Sequence, residues 1–108
     1  MFKLFSSKPK AYKDLNGAEF KEAFNNCTNA VLVDVRTAGE FASGSIPGAK
    51  NLDIMAPDFQ EKIAALDKNK EYFIFCRSGS RSAVACRMMA ELGLNTYNLR
   101  EGVRGWPR

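Results

Sequence analysis

The chain has 108 residues, of which 45% are hydrophobic and 26% charged, with a formal net charge of +4. That length and balance describe one globular domain with a modest core, and no apolar run is long enough to span a bilayer. Three cysteines without a Cys-x-x-Cys pair, and no histidine at all, argue against a disulfide framework or a zinc site and exclude every Cys–His or Ser–His–Asp mechanism.

Residues 1–13 carry Lys3, Lys8, Lys10 and Lys13 around Pro9. No nucleic-acid motif accompanies them, so they read as a solvated basic arm ahead of a single domain over 14–108. The opening Met1–Lys8 lacks the apolar stretch of a secretory signal, and the cytoplasm is the expected location. Asn16 is placed to cap a helix over 17–24, with Glu19 at the capping-box position and Phe20 and Phe24 on one face. Ala30–Val35 is consecutively apolar and β-branched, as in a central strand buried on both faces. Arg36–Phe41 turns into a short helix with Thr37 as its cap, and 44–49 is a turn-rich loop. A short strand at 50–52, a helix over 58–66 and a turn at 68–70 follow. Glu71–Phe75 reads as a buried strand and 82–92 as a helix stopped by Gly93. A last strand at 95–99 precedes two glycines and the only tryptophan, Trp106.

Strands alternating with helices predict an α/β domain with a mostly parallel sheet, and such sheets bind ligands at the C-terminal ends of their strands. Asp34 and Cys76 both stand at such ends, so they are expected to face one crevice. Between strand and helix lies Cys76-Arg77-Ser78-Gly79-Ser80-Arg81-Ser82. A turn of small residues feeding a helix start aims backbone N–H groups and the positive end of the helix dipole at one spot. Arg77 and Arg81 add full positive charge, and the hydroxyls of Ser78 and Ser80 are potential donors to a bound anion. Cys76 is therefore expected to have a depressed pKa and to be largely thiolate near neutral pH. Cys86, inside the following helix, reads as core, and Cys27 as incidental. Asp34 and Arg36 read as a structural ion pair at a strand end, with Glu40 as a further partner of Arg36.

The stretch Cys76-Arg77-Ser78-Gly79-Ser80-Arg81 resembles the Cys-Arg-x-Gly-x-Arg active-site loop of the rhodanese family of sulfurtransferases. The resemblance extends over roughly 14–106. Asp34-Val35-Arg36, Glu40-Phe41, Gly44-Ser45-Ile46-Pro47-Gly48-Ala49, and Gly102 with Gly105-Trp106 follow in the family's order, and the small single-domain bacterial members are most similar. Ser45 stands where the family carries histidine. Glu40 stands where the two-domain thiosulfate enzymes carry a thiosulfate-binding arginine. The resemblance implies a three-layer domain with helices on both faces of the sheet. It also implies a sulfane sulfur carried as a persulfide on Cys76, from thiosulfate or a persulfide donor to cyanide or a thiol. Arg77, Ser78, Gly79, Ser80 and Arg81 would then bind substrate, with Asp34, Arg36 and Glu40 in support. No metal or organic cofactor, nucleic acid or membrane enters this reading, and a monomer or weak dimer is expected. Two alternatives stand beside it. A phosphatase or arsenate reductase shares the loop logic, but four residues separate Cys76 from Arg81, one fewer than in the related phosphatases. A non-catalytic or relay sulfur-binding module is the other.

Overall fold

Side chains alternate between two apolar layers along the central strands, and this alternation builds the domain. The computed structural model describes residues 9–107. Its elements are β1 (Lys13–Leu15), α1 (Gly17–Asn25), β2 (Ala30–Asp34), α2 (Ala38–Ala42), β3 (Lys50–Asn51), α3 (Phe59–Ala64), β4 (Glu71–Phe75), α4 (Ser80–Glu91) and β5 (Asn95–Leu99), followed by a 3-10 turn at Val103–Gly105. The five strands form one sheet in the order β1-β5-β4-β2-β3. Every pairing is parallel, so the expected mostly parallel sheet is wholly so.

Val33 and Val35 from the β2 segment join Tyr72, Ile74 and Cys76 from the β4 segment beneath α3 and α4, which supply Phe59, Ile63, Ala85, Cys86 and Met89. Leu32, Phe73, Phe75 and Leu99 point to the opposite layer, under Phe20 of α1. There Phe73 stacks on Tyr97 at 4.3 Å and meets Phe20 and Phe24 edge-on at 5.4 and 5.5 Å. Trp106 closes this cluster edge-on against Phe20 and Phe24. Burying each such aromatic contributes about 1.5–3 kcal/mol, so helices are held to both faces of the sheet. Asn16 and Glu19 close the capping box of α1.

Two expectations need correction. Lys13 belongs to β1, which pairs with Tyr97 to Leu99 of β5, rather than to a loose arm. The Lys10 amide also bonds the Ala90 carbonyl at 2.8 Å, and Tyr12 packs against the α3/α4 layer. The rest of the basic arm, 1–8, lies outside the described residues. Second, α4 starts at Ser80 rather than Ser82, because Gly79 takes a left-handed φ of 98° as its cap and turns the chain into the helix early.

This strand order creates the site. From β2 the chain moves outward through α2 to the edge strand β3. From the neighbouring β4 it moves the other way, through α4 to β5. The crossovers diverge above β2 and β4, leaving a crevice at the C-terminal ends of these two strands.

Candidate active site

Cys76 is the first residue beyond β4, and its carbonyl is held by the Val103 amide at 2.9 Å. The chain then folds over the start of α4, so the sulfur lies against amides that the helix leaves unpaired. The Gly79 amide donates to Cys76 Sγ at 3.1 Å, and the Ser82 amide and hydroxyl each donate at 3.3 Å. Cys76 is wholly buried. Burial pushes its thiol up, but the Ser82 hydroxyl and the amides of Ser82, Ser78 and Gly79 outweigh this, and the net pKa lies below the ordinary thiol value.

Gly79 is required by this geometry. Besides its positive φ, a Cβ there would lie 2.0 Å from the Arg100 carbonyl oxygen. The Asn98 side-chain amide supports the turn from below, donating to the Gly79 carbonyl at 3.4 Å and to Asp14 at 2.9 Å. Gly102 packs equally tightly on the other side, where a Cβ would meet the Arg77 carbonyl at 2.0 Å. The loop is thus clamped between β5 and the C-terminal turn.

The two loop arginines behave differently. Arg77 is exposed on the loop, with no acidic partner among the described residues. Arg81 forms a two-point ion pair with Glu40, at 2.8 and 3.1 Å. The Arg81 guanidinium and the Thr37 amide hold the Glu40 carboxyl down at about 2. Glu40 thus pairs with Arg81 and not, as its sequence position had led us to expect, with Arg36. It also closes the capping box of α2 with Thr37. Ser78 and Ser80 are exposed on the loop, their hydroxyls 3.5 Å apart.

Asp34 ends β2 next to β4 and is completely buried. One of its oxygens accepts from the Arg36 amide at 2.9 Å and the other from Arg36 Nη2 at 2.7 Å. Arg36 Nη2 also reaches the Gly44 carbonyl at 2.7 Å, and Ser45 Oγ donates to Asp34 at 2.8 Å. This network ties the 44–49 loop to the strand end and is itself internally satisfied. Asp34 and Cys76 occupy the same end of neighbouring strands, but their side chains point to opposite layers.

Sequence reasoning left Ser82 out of the candidate site. The sequence reading starts the helix at Ser82 itself; the structure starts it at Ser80, which puts Ser82 in the first turn with its side chain directed back toward the loop. Cys86 is buried within α4 and its thiol is pushed up by burial, the setting of an inert core cysteine. Cys27 is half-buried and donates to Asn29. Among the described residues no group of three or more metal-ligating side chains comes together, and no helix is long and apolar enough to cross a membrane.

Comparison with known proteins places this geometry. The rhodanese-like domain family matches residues 16–108. The Bacillus subtilis protein named "Putative sulfurtransferase YtwF" is 39% identical over 94 residues, covering 87% of this chain and 89% of that protein. An Allochromatium vinosum protein named "Sulfurtransferase" is 30% identical over 96 residues, covering 88% of each. Among solved structures, a rhodanese-like domain protein from Staphylococcus aureus superposes with a TM-score of 0.75 at 29% identity, over 88% of this chain and 91% of that one. With the family match spanning nearly the whole described fold, and a cysteine loop built at the sheet's switch point, the chain belongs to the rhodanese-like domain family.

Proposed function

We propose that the protein is a sulfurtransferase that carries a sulfane sulfur as a persulfide on Cys76. The observation that carries this reading is the convergence of the Gly79 amide and the Ser82 amide and hydroxyl on one buried sulfur. Such a pocket favours an anion at Sγ without a histidine base. The names of the Bacillus and Allochromatium relatives support the reaction class.

In the first half-reaction the Cys76 thiolate attacks the outer sulfur of thiosulfate or of a persulfide. The S–S bond of the donor breaks, its electron pair leaves with sulfite or with the donor thiolate, and Cys76 becomes Cys–S–S⁻. In the second, cyanide or a thiol attacks the outer sulfur, and the electron pair of the Sγ–S bond returns to Sγ. Arg77, Ser78 and Ser80, exposed on the loop, are the groups that meet the donor and the outer sulfur in this reading. Arg81 is neutralised by Glu40, so Arg77 is the site's unpaired cation among the described residues and supplies the positive charge for a small anionic donor. Among the described residues the carboxyl bonded to the loop, Glu40, is held ionised by Arg81 and so is a poor acid for a phosphate leaving group, which sets the phosphatase reading behind this one.

The test is mass spectrometry after incubation with thiosulfate or a polysulfide, together with thiocyanate formation from cyanide. One added, cyanide-removable sulfur on the peptide holding Cys76 is expected. Cys76→Ser should abolish both signals, while Cys27→Ser and Cys86→Ser retain most of them. An unchanged mass with both donors, with turnover of an aryl phosphate instead, would overturn the proposal.

A further inference from the structure

Ser82 is fully buried, and its hydroxyl makes one hydrogen bond among the described residues, to Cys76 Sγ at 3.3 Å. Its amide makes a second contact with the same atom. With the Gly79 amide at 3.1 Å they make up the donors on the inner sulfur, and the Ser82 hydroxyl is the one side-chain donor among them. The side chains of Arg77, Ser78 and Ser80 are solvent-exposed on the same loop, and in the sulfur-transfer reading they are what an outer persulfide sulfur meets. The loop therefore has two tiers of donors, and they serve different charge distributions.

With the thiolate free, negative charge sits on Sγ, beside Ser82. Once the persulfide forms, the charge moves to the outer sulfur and Sγ becomes a neutral divalent atom, singly bonded to carbon on one side and to sulfur on the other. A hydroxyl aimed at Sγ then loses most of its electrostatic partner. When the acceptor takes the outer sulfur, the Sγ–S bond breaks, the electron pair returns to Sγ, and the charge again grows beside Ser82.

We infer that Ser82 is a catalytic residue that stabilises Cys76 as a leaving group, accelerating sulfur discharge at the expense of intrinsic nucleophilicity during loading. This rests on the sulfur-transfer reading above. The physical basis is that a thiolate stabilised by a donor attacks more slowly once ionised, with a Brønsted slope of about 0.4–0.5, and leaves more easily. A role confined to holding the loop would slow both half-reactions together.

The test separates the half-reactions in Ser82→Ala. The hydroxyl has no other partner among the described residues, so alanine orphans no buried group. The alkylation midpoint of Cys76 should rise by about one pH unit, the scale of one hydrogen bond to a charged group. Above both midpoints, sulfite release from thiosulfate in a single turnover should become about threefold faster, as that Brønsted slope requires. Discharge of preloaded persulfide to cyanide, read as thiocyanate, should slow by a comparable factor. Ser82→Thr, which keeps the hydroxyl, should restore the parent's ratio of the two rates. Slowing of both half-reactions in Ser82→Ala, or an unchanged ratio, overturns the inference. A parent protein that acquires no sulfur from any donor overturns instead the reading on which it rests, so the two failures are distinguishable.

Discussion

Replacing Gly79 by alanine tests whether loop geometry creates the reactive sulfur. Two costs are visible in the structure. At a φ of 98° an L side chain is strained, by about 1–2 kcal/mol. The added Cβ would also lie 2.0 Å from the Arg100 carbonyl oxygen, against an ordinary C···O contact of about 3.3 Å. The loop must therefore withdraw from β5 by more than about 1 Å at that point. The Gly79 amide is 3.1 Å from Cys76 Sγ, and a displacement of that size in the same turn breaks this bond. Loss of a donor to an anion is worth about 1.5–3 kcal/mol. The alkylation midpoint of Cys76 should then rise by about one to two pH units, and sulfur loading near neutral pH should fall about three- to tenfold, the lost thiolate fraction being partly offset by the greater nucleophilicity of the more basic thiolate. Stability should fall by about 2 kcal/mol or more, since the strain and the clash add. The assays are the pH dependence of iodoacetamide alkylation, single-turnover loading and urea unfolding. A Gly79→Ala protein with the parent's midpoint and the parent's stability would refute the claim that this amide and its close packing activate the thiol.

Asp34→Ala leaves the buried Arg36 guanidinium without its counter-ion and removes the acceptor of Ser45 Oγ, so urea unfolding should show a loss of about 3–5 kcal/mol, and a loss under about 1 kcal/mol would show the network to be dispensable. Glu40 has a folded-state pKa held down at about 2 against an ordinary value of 4.5, so its stabilisation is present above the ordinary value and is lost as pH falls through the folded one. Glutamine preserves the capping box but not the charge. The stability gap between parent and Glu40→Gln should therefore hold steady from pH 7 to about 4.5 and close as pH falls toward about 2, and a gap that stays constant over that window would contradict the ion-pair account.

Much of this molecule was legible along the chain because the forces involved act over a few residues. Asn16 with Glu19, and Thr37 three residues before Glu40, form capping boxes that depend only on local backbone geometry. The apolar runs at 30–35 and 71–75 predict central strands because consecutive apolar residues suit a strand covered on both faces, and the structure has strands at Ala30–Asp34 and Glu71–Phe75. The turn from Cys76 to a helix start follows from Gly79 and the small residues around it. β1 was missed because three residues, two of them charged, carry no periodicity, and an edge strand is recruited by the strand it pairs with.

The partners of the charged and polar side chains were decided only by the tertiary structure. From sequence, Glu40 stood as near to Arg36 as any cation. In the fold Arg36 turns back onto Asp34, two residues away, while α2 packs where Glu40 meets Arg81, 41 residues further along the chain. Ser82 likewise looked like one more small helix residue until the early start of α4 aimed its hydroxyl at Sγ. Local backbone preferences act within a turn and can be read one segment at a time. An ion pair or a donor to a thiolate depends on where separate segments meet, and here that is set by the strand order that sends the chain opposite ways from β2 and β4.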